Sequence, residues 1–344
     1  MSEIDRFRPD DRRGVEALTR RTLGPDAVSA ERLCWDWAHR RNPSNPSGAP
    51  DIWVAREGPT VIAHYAAVPV RLSVRGLDID GVRGTDPVVA PERTRQQLDE
   101  ALVRACDRNH DAVLTLAPLE PARQLVERLG WPPAHVVPRL IKPLTRRAFR
   151  VPTLSRAVNR LISLVTYPLV YAVSRTRPLR AECEPITRFD DEFTRLWDQL
   201  ARRFDLAIRR DAAFLNWRYV EPPHERYSIV ALRRQGELRG YAVYQHRQEP
   251  LGRATLLVDF LVDPDDTGGL KTLLRWVDRA ARAQDADKIR CYVLNERYRR
   301  VLRRAGYFTG RSHLAVAVKL NALKVPPAFD ADTADWHVTY GDRF

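Results

Sequence analysis

Alternating apolar and polar positions predict a β-hairpin at corresponding places in the two halves of the chain. Each hairpin turns at a glycine, Gly58 in the first half and Gly236 in the second, between two runs of alternating residues. Farther along, leucines and alanines recur every three or four residues, which predicts helices over 95–108 and 270–283. A short apolar run follows each helix. Both halves therefore alternate strands and helices in the way that is typical of α/β proteins.

The two halves also repeat a series of landmarks in the same order. RFRPDD at 6–11 matches ITRFDD at 186–191, and each half closes with a helix that ends in Gly-aromatic. The matched positions lie 173 to 180 residues apart, and they are Trp37 with Trp217, Pro91 with Pro264, Gly130 with Gly306, and Lys142 with Lys319. Spacings this constant predict two tandem copies of one fold.

The repeat and the chain length together predict two α/β domains, each with a mixed and mostly antiparallel sheet flanked by helices. With 344 residues, 44% of them apolar, the chain is long enough to bury two cores of ordinary size. We expect the first domain at 1–144, a basic amphipathic linker at 145–181, the second domain at 182–322 and a C-terminal tail at 323–344.

The net charge of +13 is concentrated in one part of the chain. Residues 142–180 contain nine lysines and arginines and no acidic residue, whereas the remainder is only mildly basic. Apolar positions in this stretch fall at helical spacing, interrupted near Pro168, which predicts a basic amphipathic helix. Such a helix either packs across the domains or lies on anionic lipid, and we favour packing. A nucleic-acid partner is not needed to explain the charge.

Cysteine and histidine positions argue against a metal site and against disulfides. The four cysteines are scattered and form no Cys-x-x-Cys pair or Cys/His cluster, which is typical of a reducing compartment. The chain begins with charged residues instead of an apolar signal-peptide core. Its longest apolar run, 161–173, is too short to cross a bilayer. We therefore expect a cytoplasmic protein without a bound metal.

The order of elements and motifs in both halves resembles the GNAT superfamily of N-acetyltransferases. The shared features are a strand that ends in Val-x-Pro, a turn, a helix, a strand and a helix that ends in Gly-aromatic. In this family the loop after Val-x-Pro holds the pyrophosphate of CoA at a helix N-terminus, where N–H groups and the helix dipole favour an anion. The resemblance covers nearly all of both halves and implies acyl transfer from acetyl-CoA or another acyl-CoA as cosubstrate.

The loop after Val-x-Pro indicates that the second copy binds the cofactor. The first copy has no glycine in this loop, and Asp99 lies where it would repel a diphosphate, whereas the second copy keeps Gly268 and Gly269. The alternative is that these glycines only turn the chain into a helix. The resemblance implies that the cofactor-binding residues are Leu261, Val262, Thr267, Gly268, Gly269, Leu270, Lys271 and Asn295.

Neither copy carries the tyrosine that serves many family members as general acid on the departing thiolate. Leu302 stands at that position in the second copy and Val126 in the first. Tyr298, one helical turn earlier, and Tyr292, on the preceding strand, are the candidates to replace it. Both tyrosines are equally consistent with a packing role.

Asp259 is the predicted general base. It lies five residues before Pro264, where the family often has a carboxylate that takes a proton from the acceptor amine, and Asp86 is its counterpart in the first copy. An aspartate within an apolar run is costly to bury unless it is hydrogen-bonded or catalytic. The alternative is therefore a structural carboxylate that binds neighbouring donors.

Two stretches narrow the resemblance to a subgroup associated with polysaccharide or cell-envelope biosynthesis. They are FLNWRY at 214–219 and WHVTYGD at 336–342, and packing is the alternative role for both. We expect N-acyl transfer to a small-molecule amine, such as a sugar or an envelope precursor. One alternative is a tandem-GNAT transferase that uses aminoacyl-tRNA, which the missing glycines favour. The other is a non-catalytic binding protein, which the missing tyrosines favour.

Overall fold

The computed structural model describes residues 3–93, 95–149, 182–250, 252–321 and 333–344. The amphipathic helix predicted within 145–181 and its possible lipid contact fall almost wholly outside these residues.

Helices and strands alternate along the described chain. The helices are α1 (Arg12–Leu23), α2 (Pro25–Trp35), α3 (Arg95–Asp107), α4 (Leu119–Leu129), α5 (Asp191–Leu200), α6 (Ala212–Tyr219), α7 (Thr267–Ala283) and α8 (Glu296–Arg304). The strands are β1 (Glu3–Arg6), β2 (Asp51–Glu57), β3 (Thr60–Val74), β4 (Leu77–Gly84), β5 (Val88–Val89), β6 (Ala112–Pro118), β7 (His135–Val136), β8 (Arg139–Pro143), β9 (Glu182–Ile186), β10 (Leu206–Ile208), β11 (Ser228–Arg234), β12 (Glu237–Glu249), β13 (Gly252–Val262), β14 (Lys288–Tyr292), β15 (Phe308–Gly310), β16 (Leu314–Leu320) and β17 (Trp336–His337).

The chain divides into two compact units, and neither unit is a continuous stretch of sequence. Unit 1 comprises Met1–Val136, Ala207–Glu225 and His313–Asp332. Unit 2 comprises Val137–Leu206, Arg226–Ser312 and Thr333–Phe344. The limits of these units therefore differ from the predicted boundaries at 144, 182 and 322, and the two units are of similar size.

The boundaries differ because the two copies exchange their closing strands. In unit 1 the strand order is β1-β2-β3-β4-β6-β16-β7, so the sheet contains β16, which comes from the end of the second copy. In unit 2 the order is β15-β8-β14-β13-β12-β11-β9, so the sheet contains β8, which comes from the end of the first copy. Each sheet is mixed and mostly antiparallel and contains an internal parallel pair, β4 with β6 in unit 1 and β13 with β14 in unit 2.

Helices cover the two faces of the unit 1 sheet with separate apolar stripes. Val15 and Leu18 of α1 are buried against Val54 and Val61 on one face. Leu102 of α3 and residues of α4 are buried in a larger cluster on the other face. The hydrophobic periodicity that predicted the helices therefore reports which side of each helix meets the sheet.

Matched tryptophans from the two copies pack against each other within unit 1. The rings of Trp37 and Trp217 are stacked, with centroids 4.7 Å apart and planes at 12°. Each indole N–H donates to the backbone carbonyl of the other tryptophan at 2.7 Å. The whole FLNWRY stretch is buried in α6, so these residues pack in the core, as the alternative reading of that motif expected.

Candidate functional site

A parallel strand pair in unit 2 opens into a gap. The strands β13 and β14 pair from Ala254 with Lys288 to Leu257 with Cys291, where their parallel pairing ends. At this point β13 has a bulge, because its register with β12 shifts across Val258. A bulge bends the strand and redirects its side chains. The chain beyond Leu257 therefore leaves the neighbouring strand.

The same arrangement occurs in unit 1. The strands β4 and β6 pair from Val82 with Val113 to Gly84 with Thr115. The next strand segment, β5, pairs with β3 in a register that differs by one residue from that of β4, so one extra residue bulges within 85–87. Each unit thus has a bulge where its two internal parallel strands separate.

In unit 2 the C-terminal tail lies in this gap. Thr339 forms an antiparallel bridge with Val293, directly after β14, and the Leu294 N–H donates to the Val338 carbonyl at 3.1 Å. On the other side, the Thr339 hydroxyl donates to the Asp259 carboxylate on β13 at 2.9 Å. The tail therefore joins the two strands where their own pairing has ended.

Asp259 is enclosed by this closure. Its side chain has 0% exposure, and its carboxylate accepts hydrogen bonds from the hydroxyls of Thr339 and Tyr241, the latter at 3.3 Å. The His337 ring lies 3.9 Å from the same carboxylate. A general base must come within hydrogen-bond reach of the acceptor or of one bridging water. Asp259 therefore has the surroundings of a structural carboxylate, the alternative given for it, and its role as general base stays a prediction.

The T-x-G-D residues of the tail hold the Thr339 hydroxyl in place. The Thr339 N–H donates to the Asp342 carboxylate at 2.8 Å, and the Gly341 N–H donates to the Thr339 hydroxyl at 3.2 Å. This reciprocal pair is a capping box around a short 3-10 turn. The motif singled out in the sequence thus serves to close the gap in unit 2.

The two tyrosines predicted as general acids and the asparagine predicted to bind the cofactor all contact other residues of the chain. The Tyr298 side chain is fully buried, and its hydroxyl donates to the Val262 carbonyl. Asn295 caps α8 by accepting from the Tyr298 N–H at 3.2 Å. Tyr292 is half-buried and packs on the Tyr340 ring, with centroids 5.4 Å apart. These positions match the packing alternative given for both tyrosines.

The start of α7 is occupied by a carboxylate of the chain itself. Asp266 caps the helix by accepting from the Gly269 N–H at 2.8 Å, and Arg234 binds the same carboxylate at 3.0 Å. A Cβ atom at Gly269 would lie 2.6 Å from that carboxylate, so the glycine makes room for the cap. Among the other residues predicted to bind cofactor, Leu261, Val262 and Leu270 are buried, whereas Thr267, Gly268 and Lys271 are exposed or half-buried.

The loop before α7 adds further negative charge. Asp263 and Asp265 both pair with Arg203, and Asp265 also pairs with Arg297 at 3.3 Å. A diphosphate at this helix start would have to displace Asp266 and approach two more carboxylates. In this structure the Gly269 amide is therefore bonded within the chain, and cofactor binding at this loop stays a prediction.

In unit 1 the corresponding gap is a cavity of about 390 Å³. It lies on the face of the sheet that carries α3 and α4. Its lining residues are Tyr65, Thr85, Asp86, Pro87, Asp99, Val103, Thr115, Ala117, Glu120, Pro121, Ala122, Gln124, Leu125, Val126, Arg128 and Trp131. The cavity therefore extends from the bulge, past the end of β6, to α4.

One difference between the copies lies at the bulge itself. Strand register places Gly84 opposite Ala67, and Asp259 opposite Val243. Because Ala67 and Val243 are matching positions of Y-A-A-V and Y-A-V-Y, Gly84 takes the place of Asp259 in unit 1. The predicted match of Asp86 with Asp259 is off by two residues, since the bulges lie at different points. Asp86 is exposed and lines the cavity.

Tyr65 packs directly against Gly84. A Cβ atom added at Gly84 would lie 1.7 Å from the Tyr65 hydroxyl, so only glycine allows this approach. Tyr65 is 2% exposed, and burial raises the pKa of its hydroxyl well above its ordinary value. The phenol therefore keeps its proton at neutral pH and is available as a hydrogen-bond donor. No sequence motif identified this residue.

Within the residues that the structure describes, no group of three or more histidine, cysteine, aspartate and glutamate side chains has a geometry that could hold a metal ion. None of the helices in this part of the chain is long and apolar enough to span a bilayer.

No model of a known protein family matches the sequence, and no curated protein matches it either. Solved structures do resemble it. A GCN5-related N-acetyltransferase from Anabaena variabilis superposes with a TM-score of 0.64 at 11% identity, over 93% of this chain and 73% of that one. N-myristoyltransferase from Saccharomyces cerevisiae, solved with bound myristoyl-CoA and inhibitors, gives 0.56 at 13% identity, over 98% and 85%. A probable N-acyltransferase from Enterococcus faecalis gives 0.62 at 6% identity, over 94% and 73%.

These likenesses, at such low identity, show the fold. The chain has the GNAT-type fold that its sequence predicts, built as two mixed sheets flanked by helices.

Proposed function

We propose that this protein is an N-acyltransferase that takes its acyl group from acetyl-CoA or a related acyl-CoA, and that the donor binds in the cavity of unit 1. The observation that carries the proposal is the difference between the two strand gaps. In unit 1 the gap between β4 and β6 is a cavity, whereas in unit 2 the tail lies in it. Neighbours in fold include an N-acetyltransferase and an enzyme solved with myristoyl-CoA.

The cavity suits a slender and mostly neutral ligand. Its volume of about 390 Å³ lies within the usual range for small-molecule clefts, roughly 300–1,000 Å³. Cations lie near the start of α3, where the diphosphate of CoA would be placed. Arg93, in the loop before this helix, pairs with Glu57, and Arg21 of α1 pairs with Glu92 of the same loop at 3.1 Å. Both guanidinium groups would exchange a carboxylate for the diphosphate. The N-terminus of a 13-residue helix also favours an anion.

Asp86 is the base that we propose for this site. The acceptor ammonium first loses one proton to the carboxylate, directly or through water, and its neutral nitrogen then attacks the thioester carbonyl carbon to form a C–N bond. As the C–S bond breaks, the nitrogen releases a second proton to solvent, and the departing thiolate takes a proton from solvent. Asp86 suits this role because it is exposed, lies in the bulge and lines the cavity.

The lining charges favour a cationic acceptor. Asp86, Asp99 and Glu120 contribute three carboxylates to the lining, against the single guanidinium of Arg128. Such an excess of negative charge attracts an ammonium group and disfavours a carboxylate- or phosphate-bearing acceptor. We therefore propose an amine that carries no acidic group near its nitrogen.

Acetyl-CoA titration of cavity variants tests this assignment. Leu125→Trp, on α4, fills the cavity and is expected to raise the dissociation constant at least about tenfold, whereas Leu125→Ala leaves binding intact. In unit 2 the corresponding test is Lys271→Ala, in the first turn of α7 and among the residues that the sequence predicts to bind the cofactor, and it should have no effect. Loss of binding in Lys271→Ala with normal binding in Leu125→Trp would place the donor in unit 2, as the sequence first indicated.

A further inference from the structure

The Tyr65 hydroxyl faces the cavity of unit 1 from a side chain that is otherwise buried. The side chain is 2% exposed, lines the cavity and lies beside the bulge at 85–87. Among the residues that the structure describes, none forms a hydrogen bond with this hydroxyl, and its oxygen is open to the cavity. A ligand or a water bound in the cavity can therefore supply its hydrogen-bond partner.

Tyr241 shows what the same tyrosine does when its partner belongs to the chain. It occupies the matching position of Y-A-V-Y, is fully buried, and donates to Asp259 at 3.3 Å. In unit 1 the place of Asp259 is taken by Gly84, which has no side chain to accept the bond. The missing acceptor and the cavity thus coincide, which indicates that a ligand supplies the acceptor atom.

We propose that the Tyr65 hydroxyl donates a hydrogen bond to the carbonyl oxygen of the acyl group bound in the unit 1 cavity. This inference rests on the proposed function. Asp86 lies in the bulge next to Tyr65, so the hydroxyl is at the end of the cavity where the base would meet the reacting atoms. The carbonyl oxygen is the acceptor atom at that end of a thioester.

This bond would strengthen during the reaction. As the amine nitrogen bonds to the carbonyl carbon, the π electrons of the C=O bond move onto the oxygen. They return when the C–S bond breaks and the thiolate leaves. A donor already fixed at that oxygen stabilises the transition state more than the ground state. Its high pKa keeps the phenol protonated throughout.

Tyr65→Phe tests the assignment, with acetyl-CoA and free CoA as probes. The two ligands differ only in the acetyl group, so removal of the hydroxyl should raise the dissociation constant of acetyl-CoA by about 3- to 10-fold and leave that of CoA unchanged. Turnover should fall about 10²-fold, the usual loss for one oxyanion donor. Equal weakening of both ligands would assign the hydroxyl to the pantetheine arm and overturn the proposal, as would no change in either.

Tyr241→Phe is the matched control. It removes a hydroxyl that binds Asp259, so it should lower the melting temperature and leave acetyl-CoA affinity unchanged. Tyr65→Phe should leave the melting temperature of the ligand-free protein unchanged or raise it. A drop as large as that of Tyr241→Phe would show that Tyr65 has a partner within the chain, and the proposal would fall. Wild-type protein that binds neither ligand would refute the proposed function itself, whereas normal binding in both forms refutes only the role of Tyr65.

Discussion

The two strand gaps of this molecule begin alike and end differently. Each lies where two parallel strands separate at a bulge, and each has a buried tyrosine next to that bulge. In unit 2 Asp259 fills the space beside the tyrosine, and the tail bonds to Asp259 through Thr339. In unit 1 the same place is held by Gly84, and a cavity remains.

An aspartate in an apolar strand can be either catalytic or structural, and the hydrogen-bond donors around its carboxylate decide between these roles. Two hydroxyls satisfy the carboxylate of Asp259 inside the protein, so its burial needs no catalytic explanation. Asp86 has the opposite surroundings, because it is exposed at the cavity. A base that must meet a substrate belongs to the second kind of environment.

The largest expected effect comes from exchanging the two carboxylates for amides. Asp86→Asn should lower turnover by about 10²- to 10⁴-fold, since a positioned base typically contributes that much, while acetyl-CoA affinity stays the same. Asp259→Asn should leave turnover per folded molecule unchanged. Steady-state kinetics with an amine acceptor would measure both. If Asp259→Asn loses turnover and Asp86→Asn does not, the base lies in unit 2 and the comparison is reversed.

Much of the fold was predictable because hydrophobic periodicity reports local structure. The sequence does not say which sheet a strand joins, however. The closing strands β8 and β16 each lie in the sheet formed mainly by the other copy. Both are short apolar strands that follow the same kind of helix, so alternation alone cannot distinguish the sheet edges of two similar copies.

The site was harder to predict, because it depends on β-bulges and on a helix cap that the sequence does not distinguish from a binding loop. A β-bulge adds a residue to a strand without any signal in the sequence. When the copies are aligned on Pro91 and Pro264, Asp259 is therefore matched with Asp86, whereas the strand register matches it with Gly84. Asp266 directly precedes Thr-Gly-Gly, and an aspartate at this place is a recognisable helix N-cap. The resemblance to GNAT proteins instead predicts that the glycines form a phosphate-binding loop. The one available signal for Tyr65 was the repeated Tyr-Ala at 65–66 and 241–242.

Acidification should lower the stability of unit 1, and we expect this effect to be intermediate in size. Burial lowers the pKa of His39 and of His64 to about 4, so both stay neutral in the folded unit while the unfolded chain takes up protons near pH 6.5. Stability is therefore lost as pH falls from about 6.5 to 4, by an amount on the order of 2–3 kcal/mol for each residue. Hydrogen exchange of unit 1 amides across this range would measure the loss.

His110 provides a control of opposite sign. Burial is the largest single influence and lowers the pKa of His110, but the hydrogen bond and the charge of Asp51, together with the hydrogen bond to the Cys106 carbonyl, outweigh it and raise this pKa. Its contribution is complete below about pH 6.5 and is lost as pH rises through the raised value. His64→Gln should therefore flatten the loss of stability between pH 6.5 and 4, whereas His110→Gln should leave that loss unchanged and remove a gain in stability that acidification brings above pH 6.5. Equal slopes in both variants would contradict the assignment.

The smallest expected effect tests whether the tail alone closes unit 2. Thr339→Val keeps the shape of the side chain and removes the hydroxyl that donates to Asp259 and accepts from the Gly341 N–H. Loss of these bonds should lower the free energy of unfolding of unit 2 by about 1–2 kcal/mol, since one buried acceptor loses a donor. Urea denaturation followed by hydrogen exchange in unit 2 would measure this change.

Loosening the tail should still not create a second acetyl-CoA site. The Gly269 N–H remains bonded to Asp266, and Asp263 and Asp265 stay at the start of α7, so a diphosphate meets the same three carboxylates as before. Calorimetric titration of Thr339→Val should therefore give the same stoichiometry as the wild type, which the proposed function sets at one acetyl-CoA per chain. Two bound acetyl-CoA molecules would mean that the tail, and not the three aspartates at the start of α7, excludes the cofactor from unit 2. The difference between the copies would then rest on seven C-terminal residues, 336–342, because the start of α7 would have proved able to accept a phosphate.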